Sequence, residues 1–176
     1  MSSFRSTLCV VLTLAGAPAL AAQTNPISDA FRGVAGQHGK DMLAAAEAMP
    51  ADKYGFKPTP AQRTFGQLVL HIAGDSRVTC SAILGVKPGP KPNVTAADSK
   101  ETLVATLRNS LTLCDSALAQ VTDAKLADPV MYYGQSATRV QALVGLVDDW
   151  SDHYSTQAVY LRLNGILPPS AKRGNM

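Results

Sequence analysis

Hydrophobic positions recur along this chain at three- and four-residue intervals in four stretches, each closed by proline or glycine, and that rhythm predicts helices. The first runs from about Ile27 to Ala48, with Phe31, Val34, Met42 and Ala45 in phase, and Met49-Pro50 ends it. Pro58 and Pro60 make the segment from Lys53 to Arg63 a loop, because the residue before a proline is pushed away from helical angles. Thr64 then offers an N-cap with Gln67 in the reciprocal capping position. That second helix carries Leu68, His71, Ile72, Val78 and Ala82 to about Leu84, where Gly85 stops it. A proline-rich connection from Lys87 to Pro92 leads to a third helix opening at Asp98 or Ser99, with the stripe Val104, Leu107, Leu111, Cys114, Leu118 and Val121. The segment from Thr122 to Gln135 reads as irregular, with only a weak strand signal over Val130 to Tyr133. The longest helix is expected from about Ser136 to Asn164, with Gly165 at its C-terminus and Pro168-Pro169 barring continuation. Four amphipathic helices with mostly short connections bury their apolar faces by packing together, so the expected fold is all-α, a four-helix bundle.

Composition narrows the class. The 176 residues are 46% hydrophobic and 16% charged, which suits one globular domain and excludes a disordered chain. The net charge of +3 comes from dispersed basic residues, so no nucleic-acid partner is expected. The N-terminus is read separately: Arg5, the apolar run from Leu8 to Ala15 and the small-x-small Ala19-Leu20-Ala21 read as a cleaved secretory signal over residues 1–22, the alternative being an uncleaved N-terminal anchor. The bundle domain then covers residues 23–176, and the mature chain has no membrane span and a periplasmic or secreted destination. Cys9 leaves with the signal. The remaining pair, Cys80 and Cys114, fits no zinc or redox motif, and in an oxidising space it can form a disulfide or stay as two buried thiols.

Three histidines lie in predicted helices: His38, His71 and His153. On the fourth helix Asp149 and His153 stand one turn apart, on a face shared with Leu146, Gln157 and Tyr160. His71 sits beside Leu68, Asp75 and Val78 at the edge of the second helix's core stripe. Polar groups inside a bundle cost a few kcal/mol unless paired, so these need either a hydrogen-bond network or a cation. Two imidazoles and a carboxylate, His71, Asp149 and His153, suit zinc, nickel or iron with open positions for water or substrate. The plainer alternative for His71 and His38 is a half-buried histidine at the core boundary, and for the Asp149–His153 pair a solvated contact.

The run Phe65-Gly-Gln-Leu-Val69 with His71-Ile-Ala-Gly-Asp75, and the run from His153-Tyr-Ser-Thr-Gln157 through Arg162 and Gly165 to Pro169, resemble the DinB-like superfamily of four-helix bundles. Met49-Pro50, Tyr54-Gly-Phe-Lys-Pro58 and Arg63-Thr-Phe65 add to the likeness, which spans about Ile27 to Ser170. The resemblance implies an up-down-down-up or related topology. It also implies a metal site of three histidines, one on the second helix and two as H-x-x-x-H on the fourth. His71 and His153 match the outer two positions, and Asp149 stands where the middle histidine would be. Family members use such a metal to activate a thiol or water, which implies a metal-dependent hydrolase or transferase acting on a small molecule. In that reading His38, Asp75, Tyr154 and Gln157 are candidates to orient the ligands. Dimeric members imply a homodimer as one assembly. The competing reading is a non-catalytic bundle that binds a small ligand or a protein partner.

Overall fold

The computed structural model describes residues 24–173, and the leader expected over residues 1–22 lies outside them. The helices are α1 (Pro26–Ala48), α2 (Phe65–Leu84), α3 (Lys100–Ala119) and α4 (Arg139–Leu163), followed by a short α5 (Pro169–Arg173). Local chemistry sets the boundaries. Thr64 and Gln67 form the expected capping box at the start of α2, and Gly85 at φ 77° ends it in the left-handed conformation. Ser99, not Asp98, caps α3 through the Thr102 amide, while the Asp98 carboxylate accepts from the backbone and hydroxyl of Thr95.

The fourth helix starts three residues later than the sequence rhythm suggests. Residues Gln135–Thr138 form strand β2, paired antiparallel with β1 (Pro129–Tyr132) through a turn at Tyr133-Gly134. A second capping box, Thr138 with Gln141, then opens α4. The hairpin packs against α2 and α4.

Three anchors fix the direction of each helix. The Tyr54 hydroxyl donates to the Ala46 carbonyl and Gly66 N–H donates to the Tyr54 carbonyl, so α2 begins where α1 ends and runs back. Lys100 Nζ reaches the Glu47 carbonyl, which puts the start of α3 at that same end, so the segment 85–99 crosses the length of the bundle and α3 lies parallel to α2. The Arg139 guanidinium bonds the Ile83 carbonyl, so α4 starts at the far end and returns. The topology is up-down-down-up. Each of α1 and α2 packs against both α3 and α4.

The core is built from fully buried Met42, Phe65, Ile72, Leu107, Leu143, Leu146, Trp150 and Leu161, with the Cys80–Cys114 disulfide tying α2 to α3 across a Cα separation of 5.0 Å. Trp150 Nε1 donates to Ser76 Oγ at 3.0 Å inside the bundle, which fixes the axial register of α4 against α2. At the C-terminal end, Arg173 pairs with buried Asp41, and the Ser170 amide donates to the Tyr154 hydroxyl at 2.8 Å. Gly145 on α4 is required by close approach: a methyl group there would overlap the hydroxyl of Tyr132 from the hairpin. Among the described residues no helix is long and apolar enough to cross a membrane.

Closing a loop of 34 residues restricts the unfolded chain by about 3–4 kcal/mol. The double variant Cys80→Ala/Cys114→Ala is therefore expected to lose roughly that much stability in urea unfolding, with an unchanged helical circular-dichroism spectrum. A loss under about 1 kcal/mol would show that the bridge does not constrain the unfolded chain.

Candidate metal centre

The antiparallel neighbours α2 and α4 carry the polar groups that the sequence singled out. Because α4 runs opposite to α2, His71 and His153 come to one level, and Asp75 and Asp149 come to the next level, one turn toward the hairpin. The imidazole rings meet with centroids 4.9 Å apart and planes inclined at 58°. Asp75 Oδ2 lies 3.1 Å from His71 Nε2, and Asp149 Oδ1 lies 3.3 Å from His153 Nε2. Asp152 Oδ2 stands 3.5 Å from the other ring nitrogen of His153.

Donor atoms of His71, Asp75 and His153 all fall within 4.8 Å of one another, a group close enough to hold a metal ion. Asp149, expected in the ligand set, stands against His153 and falls outside this group, and Asp75, expected to orient the ligands, is the carboxylate within it. The other nominated residues bond elsewhere. Gln157 is fully buried and its side-chain amide donates to the Met42 carbonyl at 3.4 Å, while the Tyr154 hydroxyl serves the start of α5. His38 lies half-buried on α1, outside the His71–Asp75–His153 group.

A physical test of the fit comes from His153 Nε2. This atom is buried and lacks a hydrogen-bond partner, since the Asp149 oxygen is near but not aligned for a bond. An orphaned imidazole nitrogen costs about 1–3 kcal/mol, and a cation held between two imidazoles and a carboxylate removes that cost. The electrostatics agree. Burial lowers the His71 pKa from its ordinary 6.5, a change opposed by Asp75, so the ring is held in the neutral form that ligates metals. Burial likewise raises the Asp149 pKa above its ordinary 3.8, against the pull of His153. Two nitrogens and carboxylate oxygens make up the donor set, which fits zinc, nickel or iron and does not fit a thiolate-preferring ion.

The surroundings were largely unread in the sequence. The hairpin stands one turn below the carboxylates, where Tyr132 covers Gly145. Arg63 lines a cavity with His153, Thr156 and Tyr160 on the other side, and its carbonyl accepts from the buried Tyr160 hydroxyl. The Thr138–Gln141 capping pair was the one local signal that could have marked the hairpin's end.

The profile of the DinB superfamily matches residues 36–147. The chain belongs to the DinB superfamily. Among solved structures it is similar to a DinB-like protein from Bacillus cereus, with a TM-score of 0.67 and 19% identity over 80% of this chain and 95% of that one. A DinB-like protein from Bacillus subtilis gives a TM-score of 0.64 and 20% identity over 77% and 92%. A mutant of a mycothiol-dependent maleylpyruvate isomerase gives 0.60 and 10% identity over 73% of this chain and 59% of that one. These likenesses show a shared fold. Comparison with curated proteins finds no match.

The lowered His71 pKa sets a sign for pH. The unfolded chain takes up a proton at His71 near 6.5 whereas the folded chain resists it, so stability is full above 6.5 and is lost as pH falls toward the lower folded value. Asp149 gives the opposite slope, beginning at 3.8 and extending upward to its raised pKa. In metal-free protein, His71→Gln is expected to flatten the loss just below pH 6.5 in urea unfolding. An unaltered slope would mean that His71 titrates as it does in the unfolded chain.

Proposed function

We propose that this DinB-superfamily bundle is a metal-dependent hydrolase or transferase acting on a small molecule, with His71, Asp75 and His153 as the ligands. The observation that carries this reading is the convergence of three donor groups within 4.8 Å around a buried, unpartnered imidazole nitrogen. A divalent ion bound there would polarise a substrate oxygen and lower the pKa of a bound water.

The chain's own residues do the rest. His71 is held neutral and so offers a ring nitrogen to a metal without first losing a proton. Asp152, near the second nitrogen of His153, would orient that ring and raise its basicity. Asp149 keeps a proton more readily than an ordinary carboxylate, is partly exposed and stands beside His153, which suits it to give or accept a proton. Partial exposure of His71 and Asp75 leaves the site open to substrate from the α2 side. The fold is shared with a mycothiol-dependent isomerase, so it is compatible with catalysis. An exported chain meets little low-molecular-weight thiol, which favours water as the attacking group.

Export itself is part of the proposal. The leader-like residues 1–22 and the Cys80–Cys114 bridge both suit a periplasmic or secreted protein.

Metal content decides the matter. Protein purified without a histidine tag is expected to bind one zinc ion, and zinc at 100 times its Kd should add about 2.7 kcal/mol of stability. His153→Ala and His71→Ala should each lose zinc binding by at least about a hundredfold, and Asp75→Asn by about tenfold or more. Asp149→Asn should retain zinc and depress zinc-dependent hydrolysis of p-nitrophenyl acetate. Absence of metal, together with a melting temperature unmoved by zinc or nickel, would contradict the reading.

A further inference from the structure

Two cavities adjoin along α2, the first of them beside the His/Asp group, and the segment 85–99 walls both. The first, about 410 Å³, lies against α2 and α3; His71 and Asp75 form part of its wall, with Arg77 and Lys91 as its cations. Among the described residues neither cation has a carboxylate partner, and Arg77 instead donates to the Gly89 carbonyl of the crossing segment. The second, about 490 Å³, is a groove between Val86–Pro88 and the hairpin, and it is mainly apolar. Val78 lines both cavities, so the two adjoin at that residue.

The groove also holds an excess of exposed apolar side chains. Val86, Met131 and Tyr133, at 56%, 63% and 54% exposure, all border it. Their exposure costs free energy that a bound apolar chain would recover. Volumes of this size suit a metabolite-sized ligand.

We propose that the substrate is an amphiphile: a carboxylate-bearing head placed by Arg77 and Lys91 against His71 and Asp75, and an unbranched apolar arm lying in the groove beneath Met131 and Tyr133. The proposal deepens the metal-site reading and rests on it for the position of the head. Guanidinium and ammonium groups select the negative head, and the apolar groove selects the length of the arm.

The test is calorimetric titration of the full protein, with its zinc content measured, against butyrate, hexanoate, octanoate and octan-1-ol. Affinity for the carboxylates should tighten along the series, by at most about fourfold per methylene. Octan-1-ol should bind about tenfold more weakly than octanoate. Lys91→Met should weaken all three carboxylates alike. Met131→Asp, at an exposed position that leaves the core untouched, should flatten the series and leave butyrate unchanged. A flat series in the wild type, a series that survives Met131→Asp, or equal binding of octanol and octanoate would overturn the proposal. Protein that neither carries nor takes up zinc yet still shows the series overturns the metal reading and spares the cavity assignment; zinc-bearing protein with a flat series does the reverse.

Discussion

A single buried hydrogen bond sets the level at which everything else meets. Trp150 Nε1 donates to Ser76 Oγ in the centre of the bundle, where both residues are shielded from water and neither could lose its partner cheaply. Each residue has a carboxylate as its chain neighbour: Asp75 precedes Ser76, and Asp149 precedes Trp150. Locking the interior pair therefore also fixes the axial level of the two aspartates and, one turn on, of the two histidines. A helical register error of one turn would shift one set by about 5.4 Å and separate the imidazoles. The site is a by-product of core packing between α2 and α4.

That dependence explains how the bundle tolerates its polar cluster. The bottom of the α2–α4 seam is apolar and bonded, while the top is half-open, so His71 and Asp75 keep some hydration and only His153 is driven close to full burial. The burden falls on one nitrogen. A bound cation relieves it, and the neighbouring carboxylates supply charge that favours that cation over a proton. The hairpin and the segment 85–99 then act as walls around the open side, with Gly145 leaving space for the hairpin tyrosine to close down on α4.

Much of this was legible in the chain. Periodicity and caps place the four helices, because a helix start written as Thr64-Phe-Gly-Gln67 carries its own hydrogen-bond chemistry. The nomination of His71 and His153 rested on finding imidazoles at the edges of two apolar stripes. The choice between Asp75 and Asp149 could not be made that way. Both lie one turn from a histidine, and on antiparallel helices both arrive at the same level. Which one reaches both rings depends on rotations of a few ångströms about the helix axes, set by packing with α1 and α3. The weak strand signal over Val130 to Tyr133 corresponds to β1, but the second strand of the hairpin was missed for a related reason: Gln135–Thr138 is short and only half-buried, so its alternation is weak, and its strand character comes from pairing with β1. Gln157 was nominated because it shares the helix face of Asp149 and His153, and Tyr154 as the neighbour of His153, but their side chains bond toward α1 and α5.

The central claim is that two imidazoles, one from each of two antiparallel helices, share one cation with a carboxylate. X-ray absorption spectroscopy of the zinc-loaded protein tests it most directly. The account predicts a first shell of nitrogen and oxygen only, with outer-shell scattering from two imidazole rings. A third imidazole, a sulfur ligand or a shell of water alone would contradict it.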